Sequence, residues 1–320
     1  MSEMLAIEQR PGSAHAQPWI LDAHGRRLEG RDHDRRLSEL RAGLTQHPGV
    51  LTAQADAAFE QVRQTVSALH ERDYLEALMR VRSGEPVLME RFAAPGMAPD
   101  TPVSAGVAAV AYEGVRTAIT AARRILDGSH YAYALCRPPG HHAGPGWLGG
   151  YCYLNNAAAT VQTLREGGVG PIGILDLDIH YPNGTAAIAA LMSDTSLHSL
   201  HASPVANSPT GTVEPLSSRE RLVAFAEAPS EASYLAAAAA SIDEIAQSAA
   251  VLVLSLGYDT VRGDPHGCWT FSPAIFAEIG RLLADSQLPV CVVQEGGYDL
   301  DTLAACSHAF ATGLLGGRDE

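Results

Sequence analysis

The chain has 320 residues, 46% apolar and 18% charged, with 36 acidic against 22 basic side chains and a formal charge of −14. This balance disfavours nonspecific binding to nucleic acid phosphate and favours cationic ligands, and the length predicts one large α/β domain over 1–320 rather than two small ones. No apolar run is long enough for a membrane span, since the alanine-rich tract at 235–240 runs into Asp243 and Glu244.

The N-terminal MSEMLAIEQRPG has no basic region leading into an apolar core, so the expected location is the cytoplasm. The cysteines, Cys136, Cys152, Cys268, Cys291 and Cys306, are odd in number and contain no Cys-x-x-Cys pair. They read as reduced thiols rather than a disulfide framework or a zinc ribbon.

Residues 1–30 mix Pro, Gly, Arg and His without periodicity and read as an N-terminal arm holding one short strand. The apolar spacing turns helical over 32–46 and again over 55–82, as in FEQVRQTVSALHERDYLEALMRV. A Pro- and Gly-rich connection, FAAPGMAPDTPVS, follows at 92–104.

Short apolar runs then alternate with helical segments: YAYALC at 131–136, IGILDLDI at 172–179, TSLHSL at 195–200, AVLVLSLG at 250–257 and LPVCVVQ at 288–294. Continuous apolar strands separated by helices predict a parallel sheet covered on both faces. Each run ends in an unusual polar cluster, in order RPPGHH, DLDIH, SLHASP, GYDT and EGGYD. Ligands of open α/β sheets bind at the carboxyl ends of the strands, so these clusters predict one site.

RPPGHHAGPGWLGGY, at 137–151, places His141 and His142 side by side where neither helix nor strand can form. Pro138, Pro139 and Gly140 fix the approach, while Gly144, Pro145, Gly146, Gly149 and Gly150 let backbone come close on the far side. Such a loop is rigid enough to hold catalytic groups.

In DLDIH, Asp176, Asp178 and His180 alternate with Leu177 and Ile179, so an extended strand would turn all three to one side. Two acids and an imidazole on one buried face are costly unless a cation joins them. Asp259 of GYDT completes an Asp178, His180, Asp259 set with an open fourth position, which describes catalytic zinc, although Fe(II) would also suit. One histidine of the pair can then take a proton from the attacking water while the other stays charged or hands a proton to a leaving amine, with Asp176 and Asn183 as partners that set their tautomers. Tyr298, between Gly297 and Asp299, is a candidate hydrogen-bond donor to a developing oxyanion.

RPPGHHAG…GGYCYLNNAA, ILDLDIH..NGT, LSLGYDT..GDP and QEGGYD, in this order and spacing, resemble the metal-dependent histone deacetylase family, most closely its bacterial acetylpolyamine amidohydrolase branch. The resemblance runs from about residue 100 to the C-terminus and implies an arginase/deacetylase-like three-layer α/β fold around an eight-stranded parallel sheet. It implies hydrolysis of an N-acetyl (or acyl) amide on a small amine or acetyl-lysine. Asp178, His180 and Asp259 are then the zinc ligands, His142 the general base, His141 its electrostatic companion, Tyr298 the carbonyl-polarising group, and Asp176 and Asn183 the groups behind the histidines. It further implies a potassium ion held by the Asp176 side chain, the backbones of Asp178 and His180, Ser199 and the backbone of Leu200, and a rim formed by Asp100, Gly150, Tyr151 and His266.

This sequence departs from the family pattern in several places. Tyr181 and Pro182 replace the usual residues after His180, so this segment is expected to bend differently. The second aromatic of the tunnel wall falls near Asn207 or Ser208, and His266 takes a rim position usually given to another residue type, so a wider, more polar tunnel is expected. The long loop through which acetylpolyamine enzymes dimerise is missing between Arg91 and Pro102, and a homo-oligomer is left open. Two other readings stand beside the amidohydrolase: an arginase-like binuclear manganese hydrolase, and a catalytically silent protein that binds acetylated ligands.

Overall fold

A computed structural model describes residues 3–10, 19–22, 24–95, 99–203 and 214–316. The strands read as apolar runs form where the side chains demand it: β5 (Tyr131–Leu135), β6 (Ile172–Asp176), β9 (Val251–Leu256) and β10 (Val290–Gln294) are buried at every residue, and β7 (Thr195–Ala202) at all but one. They belong to an eight-stranded sheet in the order β4-β1-β5-β10-β9-β6-β7-β8, and every pairing within it is parallel.

Three strands were not visible as apolar runs. β1 (Met4–Glu8) lies between β5 and β4 (Val50–Gln54), so the N-terminal arm, expected to hold one short strand, supplies an internal strand of the sheet and two more beyond it. β4 and β8 (Glu220–Phe225) are the sheet's edges and are only partly buried, which leaves their sequences without a continuous apolar signature. A further hairpin, β2 (Trp19–Leu21) with β3 (Arg27–Glu29), brings Ile20 against Tyr151 and Tyr298.

Alternate residues of each central strand enter opposite cores, as with Ala132 and Ala134 on one side and Tyr131, Tyr133 and Leu135 on the other. The first core is closed by α2 (Phe59–Leu69), α3 (Arg72–Arg80), α4 (Val107–Leu126), α5 (Asn156–Glu166) and α6 (Asn183–Ala189). The second is closed by α1 (Arg35–Leu44), α7 (Glu231–Ala246), α8 (Ile275–Asp285) and α9 (Leu300–Leu315). Three layers result, and the helical stretch expected over 55–82 is broken at His70 and Glu71, which adopt extended backbone. Among the described residues no helix is long and apolar enough to cross a membrane.

The extended strand expected to carry Asp176, Asp178 and His180 together is shorter than that. The strand ends at Asp176, so Asp178 and His180 lie in bends beyond it. Asp176 Oδ1 accepts the Asp178 amide at 3.2 Å and Asp178 Oδ1 accepts the His180 amide at 3.0 Å, successive turns in which a carboxylate captures the N–H two residues on. Leu177 and Ile179 still point into the core, so the alternation survives without the strand.

Candidate active site

Asp178 and His180 follow β6, Asp259 follows β9, and these strands are neighbours. Their ligand atoms all lie within 4.8 Å of one another. His180 Nδ1 is 3.0 Å from Asp178 Oδ1 and 3.2 Å from Asp259 Oδ2. Backbone amides hold both carboxylates: besides the His180 amide on Asp178 Oδ1, Gly296 N–H donates to Asp178 Oδ2 at 2.9 Å, and Ile179 N–H to Asp259 Oδ1 at 3.0 Å.

Asp259 Oδ2 is buried, and its approach to His180 makes no hydrogen bond. Burial, and then the charge of Asp178, push the Asp259 carboxyl up to about 7. Two buried acids and an imidazole with one carboxylate oxygen unsatisfied fit a divalent cation with mixed N/O ligands.

The histidine loop is held from several elements at once. Glu295 Oε2, just past β10, accepts the amides of Gly140 and His141 at 2.6 and 3.0 Å. The His141 carbonyl accepts Thr185 N–H at 2.9 Å, and the Ala143 carbonyl accepts Asn155 Nδ2 at 2.9 Å. His70 adds a clamp on Gly144.

The imidazoles of His141 and His142 stand 4.1 Å apart between ring centroids and have different partners. His141 Nδ1 faces Asp176 Oδ2 at 3.3 Å, and His142 Nδ1 faces Asn183 Oδ1 at 2.7 Å. Burial opposes charge on His141, but Asp178, Asp176 and Glu295 overcome it and hold its pKa at about 10. For His142, burial and then the positive charge of His141 and His180 drive the pKa well below 6.5. The two rings are thus pushed to opposite protonation states.

Asn183 reaches His142 from just beyond the altered segment. Pro182, at φ −80 and ψ 62, lets Asn183 N–H bond back to the Tyr181 carbonyl at 2.9 Å, an inverse γ-turn. Tyr181 turns away and donates to Glu220 Oε1 at 2.8 Å. The expected bend is therefore a tight turn that leaves the asparagine in place.

Tyr298 follows Gly297, whose φ of +108 and contact with Tyr258 leave no room for a side chain. Its ring lies 4.4 Å from the Arg36 guanidinium carbon. Arg36 is fully buried, pairs with Asp32 at 2.6 Å and donates to the carbonyls of Gly297 and Glu295. Burial raises the Tyr298 pKa well above 10, so the phenol keeps its proton.

Tyr151 Oη accepts the Arg31 amide at 3.2 Å and lies 3.0 Å from His266 Nε2. Tyr151, His266 and Tyr298 form one aromatic cluster, with centroids 4.8 to 5.4 Å apart. Gly150 lies against the His142 ring, and its amide donates to both oxygens of Asp100 at 3.2 and 3.1 Å. The Asp100 carboxylate is thus turned onto the Gly150 turn rather than left free at the rim. Asp176 and Ser199 face each other in register on β6 and β7, both fully buried, and Ser199 Oγ is 2.9 Å from His201 Nδ1. Leu200 is buried beside them. The positions expected for the second wall aromatic, Asn207 and Ser208, lie outside the described residues.

The sequence reading did not single out His70, Asn155, Arg36, Asp32 or the role of Glu295. Glu295 carried a signal as the acid inside EGGYD, and Asn155 as the first asparagine of GGYCYLNNAA.

The Histone deacetylase domain family matches residues 31–314. The chain belongs to the histone deacetylase family. This deacetylase-family chain is 36% identical over 213 residues to an acetylpolyamine amidohydrolase of Burkholderia pseudomallei (strain 1710b), covering 64% of this chain and 62% of that protein. It is 30% identical over 325 residues to histone deacetylase 8 of Arabidopsis thaliana, covering 93% and 81%. Its fold is similar to a crystal structure of acetylpolyamine aminohydrolase from Burkholderia pseudomallei, at a TM-score of 0.86 and 28% identity over 98% of each chain. The match spans about three fifths of the length of the acetylpolyamine amidohydrolases, 62% and 61% for those of Burkholderia pseudomallei and Mycoplana ramosa.

Proposed function

We propose that this chain is a metal-dependent amidohydrolase that removes an acetyl or other acyl group from an amine, either an acetylpolyamine-like small molecule or acetyl-lysine. What carries the reading is the convergence of Asp178, His180 and Asp259 beside two imidazoles biased to opposite protonation states. Residues 1–320 are read as one deacetylase domain, which the pairing of β1 inside the central sheet supports.

Asp178, His180 and Asp259 would hold Zn2+, with Fe2+ as the alternative, and the bound cation supplies Lewis acidity to water and to the amide carbonyl. His142 Nδ1–H donates to Asn183 Oδ1, which leaves the Nε2 lone pair to take a proton from the attacking water. As the C–N bond breaks, that proton passes to the leaving nitrogen, giving a free amine and a carboxylic acid, whose remaining proton is then lost to solvent or to the amine. His141, held charged by Asp176 and Asp178, offers positive charge rather than a lone pair. Tyr298 O–H donates to the carbonyl oxygen as it gains charge.

Asp100, Gly150, Tyr151 and His266 are assigned to the entrance on the amine side. A potassium ion is assigned to Asp176, Ser199 and the backbones of Asp178, His180 and Leu200, on the strength of the buried Asp176–Ser199 register. The binuclear manganese reading lacks support after His180, where Tyr181 turns away to Glu220 instead of offering a bridging acid.

The test is acetate release from acetylputrescine and from a fluorogenic acetyl-lysine peptide, inhibited by a hydroxamate and abolished in Asp178→Ala. Metal-loaded protein that binds these compounds by calorimetry yet releases no acetate from any acylated amine would select the silent binding protein instead.

A further inference from the structure

Three side chains beside the candidate site form a second potential ligand set. A His141 ring nitrogen, Cys152 Sγ and a Glu295 carboxylate oxygen lie within 4.8 Å of one another. All three residues are buried, at 2%, 0% and 0% exposure.

Glu295 uses only half of its carboxylate. Oε2 accepts the Gly140 and His141 amides, whereas Oε1 is buried without a hydrogen-bond partner. An oxygen buried in this way is costly and calls for a donor or a cation. Burial, only partly offset by the charge of His141, pushes the Glu295 carboxyl up to about 8. Cys152 Sγ makes a 3.5 Å contact with the Gly150 carbonyl. His141 Nδ1 is held against Asp176, the arrangement in which a carboxylate orients an imidazole whose other nitrogen binds a metal.

The geometry points to a second cation site, formed by Cys152, Glu295 and His141, that takes thiophilic divalent ions such as Zn2+ or Cd2+. It shares no residue with the Asp178, His180, Asp259 group, which it adjoins through the 3.7 Å approach of His141 Nε2 to Asp178 Oδ1. A thiolate, an imidazole and a carboxylate select such ions over Mg2+ or Ca2+, which prefer oxygen alone. Binding exchanges the Cys152 S–H bond for a sulfur–metal bond, displaces as well the ring proton of the charged His141 and the proton of the Glu295 carboxyl, and releases these protons to solvent. Because His141 also serves the proposed hydrolysis, occupancy of this site arrests turnover. That consequence rests on the proposed function, whereas the binding does not.

The experiment titrates the full chain with Cd2+ and counts ions per chain by elemental analysis after removing free metal, while following thiolate-to-metal charge-transfer absorption. Two ions are expected, the second bringing the absorption band. Cys152→Ser and Cys152→Ala are expected to lose the band and the second ion and keep the first, and Glu295→Gln to weaken the second about tenfold or more. One ion without a band overturns the proposal, as does a band that survives Cys152→Ser and disappears in Cys268→Ser, the exposed thiol. With Zn2+, activity is expected to rise and then fall in the wild type but only to saturate in Cys152→Ser. Absence of deacetylation at every Zn2+ concentration would defeat the proposed function, while the ion count still decides the site.

Discussion

His70 Nδ1 donates to the carbonyl oxygen of Gly144 at 2.8 Å, across 74 residues of sequence. Nε2 of the same ring accepts the Asn155 amide at 3.1 Å, which fixes the neutral tautomer and pins the end of the histidine loop to the start of α5. A protonated ring could not accept that second bond.

This pairing makes stability depend on pH with a defined sign. Burial is the largest influence on His70 and holds its pKa at about 4 in the folded protein, below the ordinary 6.5. The unfolded chain therefore binds the extra proton first as pH falls. The contribution is complete above pH 6.5, is lost progressively between 6.5 and 4, and amounts to roughly 3 kcal/mol. Urea unfolding of wild type and His70→Gln at pH 7.5 and pH 4.5 should show a smaller pH dependence in the variant. Equal slopes would mean that His70 is not held neutral.

Asn183 positions His142, the proposed general base, through its Nδ1. Asn183→Ala removes the 2.7 Å partner of Nδ1 and should lower kcat by about 10- to 100-fold with little change in KM, because the base loses its tautomer and orientation. Steady-state kinetics on an acetyl-lysine peptide checks this, and a change confined to KM would contradict it.

Gly296 lies against the proposed metal ligands. A Cβ there would stand 2.5 Å from Asp178 Oδ2 and 2.6 Å from Asp259 Oδ2. Gly296→Ala should therefore weaken Zn2+ affinity about 10- to 100-fold by displacing both carboxylates. Competition with a chromophoric chelator measures it, and unchanged affinity would show that the acids can yield without cost.

Gly140→Ala is expected to act on packing instead. Its Cβ would meet the Asn156 amide nitrogen at 2.5 Å and the Leu154 carbonyl at 2.9 Å, neither of which can move freely. A loss of about 1–3 kcal/mol in stability is expected, read by denaturant unfolding.

Chelation should lower the thermal midpoint as well as activity, since Asp178 and Asp259 are left facing each other without a shared cation. Differential scanning calorimetry before and after dialysis against a chelator, with Zn2+ restored, tests whether the change reverses.

The central strands were legible because each is an unbroken apolar run, whereas β1, β4 and β8 owe their assignment to neighbours. β1 is five residues long and becomes a strand by pairing on both sides with Val50–Gln54 and Tyr131–Leu135. β4 and β8 are edges with mixed burial, and nothing in their local spacing distinguishes them from loop. His70 was hidden for a related reason: it reads as one residue of a helical stretch, and its partners lie 74 and 85 residues away.

The sequence by itself determined which donors are present and their order along the chain, since Asp178, His180 and the His141–His142 pair occupy short stretches whose spacing constrains them locally. Only the tertiary structure decided how those donors divide the work. Whether an imidazole is charged depends on burial and on through-space distances to other groups, so the difference between His141 and His142 arises from Asp178, Asp176 and Glu295 around the first ring and from burial and the charges of His141 and His180 around the second, which chain folding alone brings together.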